Sequence, residues 1–487
     1  MKFNFGMSAG EVRITPRAED YSKWYLDVIS AADLAEYGPV KGTMILKPLG
    51  YALWENIQSF LDTKFKELGV QNVYFPMLIP EKLLKKEESH VEGFSPEVAV
   101  VTYAGGQRLE EALVIRPTSE TIMYDAFSKW IHSHRDLPLL INQWVNVVRW
   151  EMRPRLFLRT TEFLWQEGHT AHQTHEEADS WTKLIIDLYA KFASEVMAIP
   201  VIPGTKTENE KFAGALKTYC VEAMMQDGKA LQFATSHNLG QNFSKVFDIQ
   251  FTNEDGVGAY VWQTSWGLST RSIGGLIMTH SDDKGLVLPP RISPVQFVII
   301  PIWDSEENKI TVLNHASKIQ EKLNAEYGAG KVVMDDRDVR PGQKHYYWEK
   351  KGIPVRIEIG LRDIKSNSIV AVRRDNSQKI SVDVDDLKNE LNKLLDDIQN
   401  NLYTQALARM KERTVDMNEW DEFVISIEDG KFVLAYWDGT VETENKIKEL
   451  TKATIRCLPF ETENVPKGKC VFTGREASKK VIFARSY

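Results

Sequence analysis

The chain has 487 residues, 43% of them hydrophobic, with 13 Trp and a formal net charge of −8. That length is too great for one hydrophobic core and fits about three domains, and the apolar content excludes long disordered stretches. The acidic balance excludes a uniformly basic surface, so any nucleic-acid contact must rest on a local patch.

The N-terminal "MKFNFGMSAGEVR" has no apolar core of a signal segment, and the longest apolar runs, such as "VQFVII", fall well short of the ~20 residues of a membrane span. The expectation is a cytoplasmic protein with no membrane contact. Three scattered cysteines, Cys220, Cys457 and Cys470, are too few for a disulfide framework. Up to about Gly285, amphipathic stretches such as "YALWENIQSFLDTKFKELG" mix with strand-like runs, "NVYFPML", "ALVIR" and "LINQWVNVVRWE". Irregular loops join these strands in place of regular helical crossovers, which predicts an antiparallel α+β domain over 1–285. The Pro-rich "GLVLPPRISP" then marks a boundary.

Beyond it, "VQFVIIPIW", "ITVLNHASKIQEKLNAE", "KVVMDD", "KHYYWEKKG", "PVRIEIG" and "IVAVRR" alternate strand and helix, predicting an α/β unit over 286–400. Between Lys331 and Lys379 that unit carries twelve Lys and Arg against seven carboxylates, a local excess in an acidic chain. The helical "VDDLKNELNKLLDDIQNNLYTQALARMKERT" leads to a small α+β module over 401–487 that holds Cys457 and Cys470.

Two stretches carry chemistry. In "VVRWEMRPRLFLRTTEFLWQEGH" an apolar strand ends in Arg149 and Glu151, and a second strand carries Glu162, Trp165 and Glu167 after a Pro- and Arg-containing loop. In "SWGLSTRSIGG" glycines flank Arg271, where close backbone approach lets a guanidinium meet a polyphosphate. A third, "WQEGHTAHQTHEE", spaces His169, His172 and His175 three apart, and on a helix such steps could converge on one ion.

The order and context of "MILKPLGYALWE", "VVRWE…FLWQEGH" and "GLSTR" resemble motifs 1, 2 and 3 of class II aminoacyl-tRNA synthetases. The strings "IRPTSET", "NQWVNVVRWE", "EKFAGA", "TSHNLGQNF" and "QTSWGLSTR" are similar to prolyl-tRNA synthetases of the archaeal and eukaryotic type, over nearly the whole chain. The resemblance implies a class II antiparallel-sheet catalytic domain, an anticodon-binding α/β domain and a C-terminal module resembling a zinc-binding one whose ligands are lost. It implies ATP-dependent activation of proline, with Mg²⁺ neutralising the phosphates, followed by transfer to tRNA(Pro). Pro48 in motif 1 implies a homodimer. The interval from Arg149 to Arg271 leaves no room for the inserted editing domain of the bacterial type.

Residue by residue, the resemblance makes Arg149, Glu151 and Arg271 catalytic. Proline falls to Thr118, Glu120, Arg149, Trp165, Glu167, His169, His237, Ser265 and Gly267. ATP falls to Arg149, Glu151, Arg159, Thr160, Gln232, Thr235, Ser269 and Arg271. The anticodon falls to Arg337, Arg340, Lys344, Glu358 and Arg362. His169 beside the amino acid displaces the metal reading: the strand is expected to break at Gly168, and His172 and His175 to open the next helix. No structural zinc is expected, because "GKCVFTG" has Thr473 where a second cysteine would stand. Two other readings compete, a catalytically inactive tRNA-binding paralogue and an enzyme that adenylates for a carrier other than tRNA. Retention of the phosphate-facing arginines opposes the first, and the basic α/β unit opposes the second.

Overall fold

The computed structural model describes residues 13–88, 98–463 and 465–487. The N-terminal segment read above for its lack of an apolar core therefore lies almost wholly outside the described residues. Eleven strands make one sheet. Its catalytic part contains β1 (Gln71–Asn72), β2 (Leu139–Val148), β3 (Glu162–His172), β4 (Val201–Thr205), β5 (Lys217–Met224), β6 (Ala230–Gly240) and β7 (Trp262–Ser269). Helices α1 (His175–Lys191) and α2 (Arg271–His280) accompany it. Tyr189, Phe192, Phe233, Leu268 and Ile273 are buried in the large core.

β2 and β3 form the expected hairpin, in unbroken antiparallel register from Leu139 opposite Ala171 to Val148 opposite Glu162. β3 continues through Gly168 to His172, which corrects the expected break. The reason lies across the sheet. Gly168 pairs with Trp266 of β7, and a Cβ at 168 would stand 2.0 Å from that indole. The glycine makes room for a ring; it does not end a strand.

This register disperses the three histidines. Side chains alternate along a strand, so His169 and His172, three apart, point to opposite faces. His172 is buried with its Nε2 2.8 Å from Thr170 Oγ1 and its ring 6.0 Å from Trp181, and it belongs to the strand, not to the helix. His175 opens α1, behind the cap formed by Thr174, and its ring meets Trp262 at 4.9 Å. Among the described residues no group of three ligating side chains converges.

The 286–400 unit is a five-stranded sheet in the order Val332–Met334, Phe297–Pro301, Val355–Ile359, Ser368–Arg373, Lys379–Asp383. The first three strands are parallel and the last two antiparallel. Helix α3 (Leu387–Glu412) covers it with Leu387, Leu391, Leu394 and Ile398. The boundary expected at 400 falls inside this helix, whose far end grips the catalytic domain: Arg409 donates to the Thr279 carbonyl at 2.8 Å, and Arg413, just beyond, to that of Gln226 at 2.9 Å.

The C-terminal strands β8 (Thr414–Asp416), β9 (Phe432–Trp437), β10 (Thr454–Pro459) and β11 (Lys479–Ala484) complete the large sheet in the order β8-β9-β11-β10-β4-β5-β6-β7-β3-β2-β1. The module does not set these four strands apart as a sheet of their own. Instead it joins edge to edge, with Leu458 opposite Thr205 and Pro459 opposite Gly204, which satisfies backbone groups that an open edge of β4 would expose. The seam carries a buried ion triad. Lys206 donates to Glu222 and to the Arg456 carbonyl, both at 2.7 Å, and Arg456 reaches Glu222 at 3.0 Å.

Candidate active site

One cavity of about 280 Å³ opens on the face of the sheet shared by β3, β6 and β7. Alternation aims Trp165, Glu167 and His169 from β3, Thr235 and His237 from β6, and Ser265, Gly267 and Ser269 from β7 at the same space, with Thr218 pairing opposite His237. Thr118 and Glu120 enter from the loop and first turn of the helix Glu120–Trp130, Arg149 from the end of β2, and Arg271 from the start of α2. Every residue assigned to proline therefore lines this cavity, as do Gln232, Thr235, Ser269 and Arg271 of those assigned to ATP.

The cavity is segregated by charge. At one end Glu120 bonds to Thr118, and Glu167 Oε1 accepts from Gln143 Nε2 at 2.6 Å and from Ser119 Oγ at 2.5 Å. At the other, burial and then the neighbouring charges of Arg149 and Arg159 depress Arg271 to about 10, against the opposing pull of Glu222. Arg149 lies between. Its Nε donates to the Pro117 carbonyl at 2.9 Å, and its guanidinium stacks on Trp165 at 5.3 Å and Phe163 at 5.6 Å. Desolvation lowers its pKa, while Glu120 and Glu167 oppose that change. Burial pushes His237 down to about 3, so it is neutral at neutral pH.

Three assigned residues do not line the cavity. Glu151 and Arg159 form an ion pair in the β2–β3 connection, with Arg159 largely exposed, and Thr160 turns its hydroxyl to the Glu162 carbonyl at 2.8 Å. Sequence reasoning also missed residues that do line it: Glu210, Lys211 and Phe212, whose ring stands 4.9 Å from His237. The signal was present in "EKFAGA", which was read only as a resemblance.

In the 286–400 unit the basic excess is partly consumed inside the fold. Lys344 is buried, its ammonium on the Asp335 carbonyl at 2.9 Å and over the Trp303 ring, which corrects its expected place among the RNA contacts. Arg337 grips Asp335, Arg373 grips Asp375, and Arg374 crosses to Asp282 of the catalytic domain at 2.7 and 2.8 Å. Glu358, nearly buried, collects Arg356, His345 and Lys379. Arg340 and Arg362 are exposed.

Residues 101–280 match the family described as tRNA synthetase class II core domain (G, H, P, S and T), 296–394 the anticodon binding domain, and 420–487 the C-terminal domain of prolyl-tRNA synthetase. The proline–tRNA ligase of Chlorobium chlorochromatii is 55% identical over 483 residues, spanning 98% of this chain and 99% of that protein. The chloroplastic/mitochondrial proline–tRNA ligase of Arabidopsis thaliana is 54% identical, spanning 97% and 88%. A crystal structure of prolyl-tRNA synthetase from Cryptosporidium parvum, complexed with halofuginone and AMPPNP, superposes with a TM-score of 0.91 at 43% identity and covers 98% of each chain.

Proposed function

This chain belongs to the prolyl-tRNA synthetase family and is by activity an ATP-dependent proline–tRNA ligase; from that premise we propose how its residues divide the work. The carrying observation is the charge-segregated cavity, with Glu120 and Glu167 at one end, Arg271 at the other and Arg149 between. Proline's secondary ammonium meets the carboxylates, and its ring lies against Trp165 and Phe212. Thr118, His169, His237, Ser265 and Gly267 complete the wall.

The proline carboxylate attacks the α-phosphorus of ATP as the bond to the β-phosphate breaks, giving prolyl-adenylate and pyrophosphate, and it needs no base, being already ionised. Negative charge builds on the α-phosphoryl oxygens, and Arg149, fixed in advance by Pro117 and two aromatic faces, stabilises it. Arg271 and Arg159 take the terminal phosphates, and Gln232, Thr235 and Ser269 take the nucleoside. Glu151 and Thr160 act less directly, through the loop that carries Arg159. Mg²⁺ enters on the triphosphate as part of the substrate and offsets its charge. A hydroxyl of the terminal ribose of tRNA(Pro) then takes the prolyl group from the adenylate, and AMP leaves. For the anticodon, Arg340 and Arg362, with Arg337 and Glu358, remain the candidate readers of splayed bases.

We further propose a homodimer. Tyr37, Ile45 and Tyr51 are exposed apolar side chains in and next to the segment headed by Pro48, and Tyr74, Trp130 and Trp150 are further exposed ones in the same domain. The interval from Arg149 to Arg271 is occupied by sheet strands and α1, which supports the absence of an inserted editing domain. Work in the cytoplasm is proposed; among the described residues no helix is long and apolar enough to cross a membrane. The inactive-paralogue reading lacks support, because Arg149 and Arg271 stay poised on a formed cavity. Amino-acid-dependent ATP–pyrophosphate exchange over all twenty amino acids tests the assignment. Proline gives the highest signal, and folded protein with no proline-dependent exchange would refute it.

A further inference from the structure

Beneath the carboxylate end of the cavity runs a buried chain of hydrogen bonds that the reaction as described does not use. Tyr124, on the helix that begins at Glu120, places its hydroxyl 3.0 Å from His169 Nδ1, and His169 Nε2 lies 3.2 Å from Glu167 Oε2. Tyr124 is fully buried and His169 and Glu167 very nearly so, and the phenol ring is packed by Phe127, Phe243 and Phe247. On its other oxygen Glu167 receives Gln143 and Ser119, and Gln143 also donates to Ser119 Oγ at 2.9 Å.

The donors fix the protons. Gln143 Nε2 has only hydrogens to offer, and Ser119, already accepting from it, gives its own proton to Glu167 Oε1. A carboxylate held in this way acts as an acceptor, so His169 must carry its proton on Nε2 to meet Oε2. Nδ1 is then bare and needs a donor in a pocket of phenyl rings. The Tyr124 hydroxyl is that donor. In the other tautomer Nδ1–H would point at Tyr124, and the Nε2 lone pair would face the carboxylate across a buried, repulsive gap.

We propose that Tyr124 is a positioning residue for amino-acid recognition: through the tautomer of His169 it holds Glu167 as an oriented acceptor for the ring ammonium of proline. This rests on the reading that Glu167 meets that ammonium. Tyr124 itself touches no substrate. It makes the cavity selective for a ligand that brings N–H groups, over a ring of the same shape that brings none.

The test compares two ligands of nearly equal shape in wild-type protein and in Tyr124→Phe, which keeps the ring and removes the hydroxyl. Proline KM in ATP–pyrophosphate exchange is read beside the inhibition constant of tetrahydrofuran-2-carboxylate, whose ring oxygen replaces the ammonium. Loss of one buried hydrogen bond to a charge-bearing chain should raise proline KM about tenfold or more. The inhibition constant of the furan acid should stay within about twofold, since it gains nothing from an oriented carboxylate. A proline KM unchanged in the variant would overturn the proposal, and so would equal weakening of both ligands, which marks simple loosening of the pocket. Wild-type protein without proline-dependent exchange would instead sink the functional reading beneath it. If Tyr124→Phe fails to fold, the ¹⁵N shifts of the His169 ring in the wild-type protein carry the test: a protonated Nε2 with a bare Nδ1 is expected, and the opposite tautomer would overturn the proposal.

Discussion

Replacing Arg149 by Ala removes a guanidinium that neighbours both the carboxylate pair and Arg271, to which the terminal phosphates are assigned. The geometry separates two costs. In the ground state the change deprives the Pro117 carbonyl of its 2.9 Å donor and uncovers two aromatic faces, at 5.3 and 5.6 Å. One ordinary hydrogen bond and two cation–π contacts together amount to roughly 1–3 kcal/mol of stability, a modest loss for a chain of this size. In the transition state the loss is of another kind, because the guanidinium is already oriented and partly desolvated where charge appears. A fixed donor of that sort contributes roughly 3–4 kcal/mol, so proline-dependent ATP–pyrophosphate exchange should fall by about 10²–10³. Arg149→Lys should recover little, since an ammonium lacks the Nε that meets Pro117 and the flat face that stacks on Trp165. The assay pairs exchange kinetics with filter binding of tRNA, whose candidate contacts lie in the 286–400 unit and should leave the tRNA Kd near that of the parent. Exchange above half the parent rate, or a matched collapse of tRNA binding and melting temperature, would refute the role given to Arg149.

Burial holds His172, His237 and His280 down to about 4, 3 and 4, all below the ordinary value near 6.5. The unfolded chain therefore binds protons first as pH falls, and stability present above about pH 6.5 should be lost toward pH 4, by up to roughly 1.4 kcal/mol per group per pH unit; urea midpoints that are flat between pH 7 and 5 would contradict this. Deletion of Arg485 to Tyr487 should impair proline activation more than melting temperature. The tail pairs with Ala230 at the root of β6, and the Tyr487 ring meets Arg155 of the β2–β3 connection at 5.4 Å; unchanged exchange kinetics would make it a mere terminus. In the C-terminal module the nearly buried Asp438 carboxylate accepts from the hydroxyls of Thr440, Thr443 and Thr473 at 2.9, 2.9 and 3.1 Å. Asp438→Ala should therefore cost roughly 2–4 kcal/mol, while EDTA leaves the melting curve of the parent unmoved; one zinc per chain by elemental analysis, with a chelator-induced loss of stability, would overturn that account.

Local rules made the hairpin of β2 and β3 legible. A run of apolar residues closing on Arg149 and Glu151, a Pro-containing loop and a second run give the strand pair directly, and the motif order gives the pocket's composition. What escaped was decided by partners distant in sequence. Gly168 reads as a strand breaker on its own, because glycine is costly in a strand and common in turns. Its role appears only when Trp266 is laid opposite it. The same dependence explains the charge count between Lys331 and Lys379: summing residues treats each as solvated, whereas Asp335, Asp375 and Asp282 each claim an arginine and the Asp335 carbonyl claims Lys344. It also explains Gln143, which looks like an ordinary polar interruption of β2 until Ser119 and Glu167 are brought to it from two other elements.

These misses share a physical origin that bears on the reaction. Gly168 and Gln143 are buried beside residues that line the cavity, and the Asp335 and Asp375 pairs are buried in the 286–400 unit; in both places a low dielectric makes unmet hydrogen bonds expensive and met ones rigid. In the proposed reading, selection of proline then depends on two layers. The first, Trp165, Glu167 and Glu120, carries chemistry that residue types announce. The second, Gly168 under Trp266 and Gln143, Ser119 and Tyr124 around Glu167 and His169, fixes where that chemistry points. Substitutions in the second layer should therefore alter how well the cavity tells an ammonium-bearing ring from its neutral isostere, while the attack on ATP, governed by Arg149 and Arg271 at the other end, keeps its own barrier.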